Sequence, residues 1–176
     1  MRKWFLLIFV SGLAIVIDQI AKLWVVNNLA LGETVAILEA LQPYLQFTHT
    51  SNTGFAFGLA SGGSTVILIL SSAITLVLIW MFSQSDESER LQQVALAIVI
   101  GGAIGNIIDR IRIGHVIDFF HITIPGLISN VSNFADHFVV FGVGLLLLDS
   151  FLHEQRQAKD KTTTPDEENI IVALDD

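Results

Sequence analysis

Two aspartates stand where an apolar chain can least accommodate them. Asp118 lies in Gly114-His115-Val116-Ile117-Asp118-Phe119-Phe120, and Asp136 lies in Asn133-Phe134-Ala135-Asp136, where the last long apolar run begins. An ionisable group at or near bilayer depth is expensive, so each is a candidate functional residue. Two carboxylates held close together cannot both ionise comfortably. One keeps a proton that the other lacks, and the pair can then work as acid and base, as in aspartic proteases. Each also has a plain structural alternative. With Asn133 as a helix N-cap, Asp136 falls at the third helical position, where the macrodipole favours a carboxylate. Asp118 could be a polar loop residue, although Val116, Ile117, Phe119 and Phe120 around it argue for a place against the membrane.

Other polar groups surround these two in type and spacing. Asp18 and Lys22 are four apart, hence on one helix face, and can pair inside a span. Asn106, Asp109 and Arg110 cluster at the end of a later apolar run, with Asn106 and Arg110 on one face. They are either a polar helix end or a support that orients the carboxylates or holds substrate. His115, Asp118 and His121, with Asp136-His137, are a loose metal-ligand pattern that lacks His-Glu-x-x-His spacing. Ser51 near His49 has no Gly-x-Ser-x-Gly context for a serine nucleophile. Asn52-Thr53-Gly54-Phe55-Ala56-Phe57-Gly58 reads on its own as a turn with glycine at a special backbone position.

The elements that must position these residues are membrane spans. The chain is 52% hydrophobic and only 15% charged, with a mean hydropathy of +0.66, far from an ordinary soluble domain. Its 176 residues suit one compact bundle. The absence of cysteine excludes disulfides, thiolate metal sites and a cysteine nucleophile. No basic patch speaks for nucleic acid. About 20 apolar residues cross the hydrocarbon layer, and four such runs are expected at 4–26, 64–82, 91–108 and 134–152. Arg2-Lys3 before the first run also fits a signal peptide, but no clear small-x-small site precedes Asp18 and apolar residues continue past Lys22. The fold class expected is an all-α membrane protein, a four-span bundle over 1–152 with a small β-containing segment outside the membrane. Short strands are expected at 35–38, 45–50 and 116–124, with a turn at Pro125-Gly126. The acidic tail, 153–176, is expected to be disordered. Arg2, Lys3, Arg90, Arg156, Lys159 and Lys161 share one side, and Arg110 and Arg112 the other. The positive-inside rule then places the termini in the cytoplasm and segments 27–63 and 109–133 outside, with both aspartates at the outer end.

Five blocks in this order resemble one family. They are Asp18-Gln19-x-x-Lys22, then Asn52-Thr53-Gly54-x-Ala56-Phe57-Gly58, then Gly101-Gly102-Ala103-x-Gly105-Asn106-x-x-Asp109-Arg110, then Gly114-x-Val116-x-Asp118-Phe119, then Asn133-x-Ala135-Asp136. On a four-span layout they resemble the lipoprotein signal peptidases (signal peptidase II), over about residues 13–152. The resemblance implies an aspartic endopeptidase of the bacterial inner membrane that cuts prolipoproteins just before a diacylglyceryl-modified cysteine. It implies Asp118 and Asp136 as the catalytic pair. It implies Asp18, Lys22, Asn52, Gly54, Asn106, Asp109, Arg110 and Asn133 as substrate-binding or structural support. No metal or other cofactor is implied, and the expected partners are the lipid-modified substrate and membrane lipid. Two positions depart from the family pattern: Phe55 stands where a small residue is expected, and a Phe follows Asn133 where one before it is more usual. From the residues alone, a proton-coupled transporter and a metal-dependent membrane hydrolase are the competing readings.

Overall fold

The computed structural model describes residues 2–54 and 63–163. Phe55 and the Ala56-Phe57-Gly58 end of the second block lie outside the described residues, as does the tail from 164. Four long helices carry the apolar runs: α1 (Arg2–Asn28), α2 (Gly63–Gln84), α3 (Arg90–Ile113) and α4 (Phe134–Thr163). Each is long and apolar enough to cross a membrane. Half of the apolar window of α3 is buried, against 11% for α2 and for α4, so α3 is the central helix. The others leave their apolar faces outward, as a surface that meets lipid requires.

Small residues on α3 let its neighbours come close. A Cβ on Gly101 would stand 2.8 Å from the Ser11 carbonyl oxygen of α1, and one on Gly105 would stand 2.7 Å from Asp18 Oδ2. The approach at Gly105 serves a buried ion cluster. The Lys22 ammonium donates to Asp18 Oδ2 at 2.8 Å, to Asp109 Oδ2 at 2.8 Å and to Asn106 Oδ1 at 2.9 Å. A lysine has three protons to donate, and all three are used. Gln19 Nε2 closes the cluster, donating to Asp18 Oδ2 at 3.2 Å and Asp109 Oδ1 at 3.0 Å. The carboxylates also reach other elements. Asp18 Oδ1 accepts the Ala135 backbone N–H at 2.9 Å, and Asp109 Oδ2 accepts that of Ile117 at 3.3 Å. The expected Asp18–Lys22 pair is thus present, within a larger group that ties α1 to α3 and to the segments on either side of the site.

Beyond the helix ends lies a four-stranded antiparallel sheet in the order β1 (Thr34–Ala36), β2 (Leu45–Asn52), β3 (Val116–Ile124) and β4 (Ile128–Ser132). A single 3-10 turn, Glu39–Leu41, joins β1 to β2. Register makes this sheet amphipathic. Val35 pairs with Phe47, Phe47 with Phe120 and Leu45 with Ile122, so β1–β3 gather apolar side chains on one face, with Asn130 and Ser132 of β4 at its edge. On the opposite face Thr34 bonds Thr48, Thr48 bonds His121 Nδ1, and His121 Nε2 bonds Ser129. The β2–β3 register shifts between Phe47 and Thr50.

Three expectations need correction. The strand expected at 35–38 runs Thr34–Ala36, because the chain turns into the 3-10 segment after Leu38. The strand β4 was not expected; it pairs with β3 across a turn at Pro125-Gly126, where Gly126 takes φ +77, a conformation that only glycine adopts freely. The segment 153–163 is helical, where disorder was expected from His153. Glu154, Gln155, Arg156, Gln157, Ala158 and Lys159 are good helix formers, and they extend a helix already nucleated by the apolar run.

The ion cluster generates a prediction. Lys22→Ala strands two buried carboxylates and should cost about 3–5 kcal/mol. Asp18→Ala leaves Lys22 with Asp109 and Asn106, so its loss should be smaller. The double change should cost less than the sum of the two. Melting of purified protein in detergent measures all three, and strict additivity would mean that the two side chains do not meet.

Candidate active site

Asp118 comes from β3 and Asp136 from the first turn of α4, and the gap between them is bridged by asparagines. Asn133 caps α4, its Oδ1 accepting the Asp136 backbone N–H at 2.9 Å. That bond fixes which way its amide faces. Its Nδ2 therefore points at Asp118 Oδ1, 2.5 Å away. Asn52 is fixed in the same way: its Oδ1 accepts the Gly54 N–H at 2.9 Å, which leaves Nδ2 to donate to Asp118 Oδ2 at 2.9 Å. Gly54 holds this turn at φ +77, where a side chain would be strained. Asn106 turns its Oδ1 to the Lys22 ammonium and to Asn133 Nδ2, so its own Nδ2 donates to Asp136 Oδ1 at 2.7 Å. Each amide orientation follows from a donor that cannot be reversed, a backbone N–H or an ammonium.

The two carboxylates differ in setting. Asp118 is 2% exposed, whereas Asp136 is half-buried and faces a groove. Burial pushes the Asp118 carboxyl from 3.8 up to about 6. The Asn52 hydrogen bond works against that rise, the neighbouring Asp136 charge adds to it, and Asn133 and Lys22 work against it. A carboxyl that titrates near neutrality beside a second carboxylate can exchange a proton with substrate or water.

The groove beside Asp136 has a volume of about 420 Å³ and runs between α2, α3 and α4. Ile74, Leu78, Val99 and Val139 form its apolar wall, and Asn106, Arg110 and Asp136 are polar groups on it. Arg110 donates through Nη1 to the Asn106 carbonyl at 3.4 Å, and its buried Nε has no partner among the described residues.

The sequence singled out ten residues, and the structure joins nine of them in one connected set. Asp18, Lys22, Asp109 and Asn106 form the ion cluster, and Asn106, Asn133, Asn52 and Gly54 carry its order to Asp118 and Asp136. Arg110 touches this set only through the Asn106 backbone. The histidine pattern disperses. His115, Asp118 and His121 are three apart around or on a strand, where that spacing sends side chains to alternate faces, and His121 is occupied by Thr48, Thr123 and Ser129. Among the described residues no group of three or more His, Asp or Glu is placed to hold a metal ion. Gln19 was not singled out for the site. Its signal was there: an amide beside Asp18 in an otherwise apolar run.

The family model described as Signal peptidase (SPase) II matches residues 10–152. The lipoprotein signal peptidase of Trichormus variabilis is 38% identical over 138 residues, 78% of this chain and 84% of the relative. That of Bartonella tribocorum is 32% identical over 163 residues, 90% of this chain and 95% of the relative. A solved structure described as "Bacterial membrane enzyme structure by the in meso method at 1.9 A resolution" has a TM-score of 0.73 at 28% identity, over 81% of this chain and 90% of its own. The matched region begins within α1, ends within α4 and includes both carboxylates with every group that orients them: the chain belongs to the signal peptidase II family and is a multi-pass bacterial membrane protein.

Proposed function

We propose that this chain is an aspartic endopeptidase that removes the signal peptide from diacylglyceryl-modified prolipoproteins, cutting before the lipidated cysteine, with Asp118 and Asp136 as the catalytic pair. The observation that carries this reading is the set of three asparagines, Asn52, Asn106 and Asn133, each locked in one orientation and each donating to one of the two carboxylates. Preorganisation of this kind is what a reacting pair needs. The names of the relatives from Trichormus variabilis and Bartonella tribocorum support the substrate class.

The chemistry follows from the two settings. Asp136, ionised at the N-terminus of α4, takes a proton from a water held between the carboxyls. Asp118, protonated in its buried position, donates a hydrogen bond to the scissile carbonyl. The water oxygen attacks the carbonyl carbon, and the C–N bond breaks as a proton passes to the leaving amine. The acid–base part of this chemistry supplies about 10²–10⁴-fold. The α2–α4 groove beside Asp136 suits an apolar signal-peptide helix. In the bilayer, we place the termini and the α2–α3 loop in the cytoplasm and the sheet and both carboxyls at the outer interface, following the lysine and arginine distribution.

Three outcomes test this reading. Asp118→Asn and Asp136→Asn should each lower turnover of a lipidated prolipoprotein by at least about 10²-fold, while the protein still folds in detergent. Appreciable turnover in either variant would remove that residue from the mechanism.

A pH series tests the setting of Asp118. Its folded pKa, about 6, is raised above the ordinary 3.8, so the native state binds this proton more tightly than the unfolded state does. Deprotonation therefore weakens the native state as pH rises above 3.8, with the full effect reached above about 6. The melting temperature of wild type relative to Asp118→Asn should fall across that window and level off beyond it. A flat difference would mean that the carboxyl is not held in a raised state.

Recognition should depend on the lipid more than on the peptide sequence. Few polar groups line the groove, whereas each buried acyl methylene contributes about 0.8 kcal/mol. Much of that energy is available from the bilayer already, so its main effect is to fix the cysteine relative to the carboxyls. The same prolipoprotein with an unmodified cysteine should show a much lower kcat/KM, and similar values with and without lipid would overturn this point.

A further inference from the structure

A second groove, of about 430 Å³, opens between α1 and the sheet. Its lining includes Ile20, Ala21, Trp24, Phe47, Phe119 and Phe134, and every lining side chain is apolar or aromatic. Edge-to-face contacts build its wall: Trp24 on Phe47 at 5.9 Å, Phe47 on Phe119 at 5.8 Å and Phe119 on Phe134 at 5.7 Å. The wall offers nothing to hydrogen-bond an extended peptide backbone, so it suits an occupant with no free amides.

The groove is coupled to the carboxyls by the elements it shares with them. Phe119 follows Asp118 on β3 and lines this groove, whereas Asp118 does not. Phe134 stands two residues before Asp136 on α4, about 200° around the helix. Both elements that bring a carboxyl to the site bring an aromatic ring to this groove. The first turn of α4 therefore divides two channels. One exposes Asp136 along α2 and α3, and the other is wholly apolar along α1. Asp136 lies on that turn.

We infer that one acyl chain of the substrate's diacylglyceryl cysteine lies in this α1–sheet groove while the signal peptide lies in the α2–α4 groove, so that the substrate straddles the first turn of α4. This rests on the function proposed above. An acyl chain matches the groove in chemistry, since it is apolar along its length and has no amide to satisfy. A tether at the cysteine would reach the groove through Phe119 and Phe134, the lining residues nearest in the chain to the two carboxyls. Lipid tails are as apolar as the groove itself, so the gain lies in close packing against the aromatic wall and in fixing the cysteine.

The test uses full-length protein and one prolipoprotein peptide whose diacylglyceryl cysteine carries either palmitoyl or butanoyl chains. Wild type should prefer the palmitoyl form in kcat/KM by about tenfold or more, since shortening removes several packed methylenes. Ala21→Phe, which fills the groove, should abolish that preference by lowering kcat/KM for the palmitoyl form towards that for the butanoyl form. Leu70→Phe, on an exposed face of α2 outside both grooves, should leave the preference intact. If Ala21→Phe melts at a much lower temperature, Trp24→Ala takes its place, since it removes an exposed part of the wall and should also weaken the preference. A wild-type preference retained in the well-folded groove variant would overturn the inference and assign the groove to bulk lipid. Wild-type protein that cleaves neither form would instead overturn the proposed function.

Discussion

The structure depends on one ammonium group. Lys22 is 1% exposed, inside a helix that crosses apolar surroundings. There a charge is tolerable only if every proton finds an acceptor. Asp18, Asp109 and Asn106 meet that demand, and in meeting it they fix much else. Two acceptors on α3 set the rotation of that helix against α1. Gly105 must lack a side chain for Asp18 to sit where it does. The other oxygen of Asp18 then accepts the Ala135 backbone N–H, and the lysine-bound oxygen of Asp109 also accepts that of Ile117. Those groups belong to the turn of α4 and the strand of β3 that carry Asp136 and Asp118. The lysine thus sets how the elements that carry Asp118 and Asp136 stand relative to each other.

Asparagine is the residue suited to carry that order outward. It has a donor and an acceptor at opposite corners of one plane, so fixing one corner fixes the other. Asn106 gives its oxygen to the lysine, Asn133 to the helix N-terminus, and Asn52 to the Gly54 turn. In each case the nitrogen is left for a carboxylate. Aspartate in these places would add charge beside the pair, and an apolar residue would leave the carboxylates without donors in a buried setting.

The α4 helix start joins these themes. Its orphan N–H groups at the second and third helical positions are satisfied by Asp18 and Asn133. Its opposite faces present Phe134 to one groove and Asp136 to the other. The sheet continues the same division beyond the helices, with its apolar face built from Leu45, Phe47, Phe120 and Ile122 and its polar face from hydroxyls and His121.

The sequence by itself determined what burial chemistry dictates residue by residue. Long apolar runs have one solution in lipid, and so the four helices were legible, although α3 and α4 run on past their expected ends. The i, i+4 spacing of Asp18 and Lys22 forced a shared face, and Asn133 ahead of an apolar run announced the cap of α4. The strand β2 could be read from the alternation of Leu45 to Thr50. Only the tertiary structure decided what depends on elements distant in the chain. That Asp109 completes the lysine's set, that Asn52 and Asn133 converge on Asp118 from 66 and 15 residues away, and that Gln19 closes the cluster follow from packing α3 between its neighbours. The strand β4 was hidden because Ser129, Asn130 and Ser132 are poor strand formers, and pairing with β3 overrides that local preference. The helical start of the tail was hidden for the converse reason: its charge suggested disorder, but a preceding helix removes the cost of nucleation.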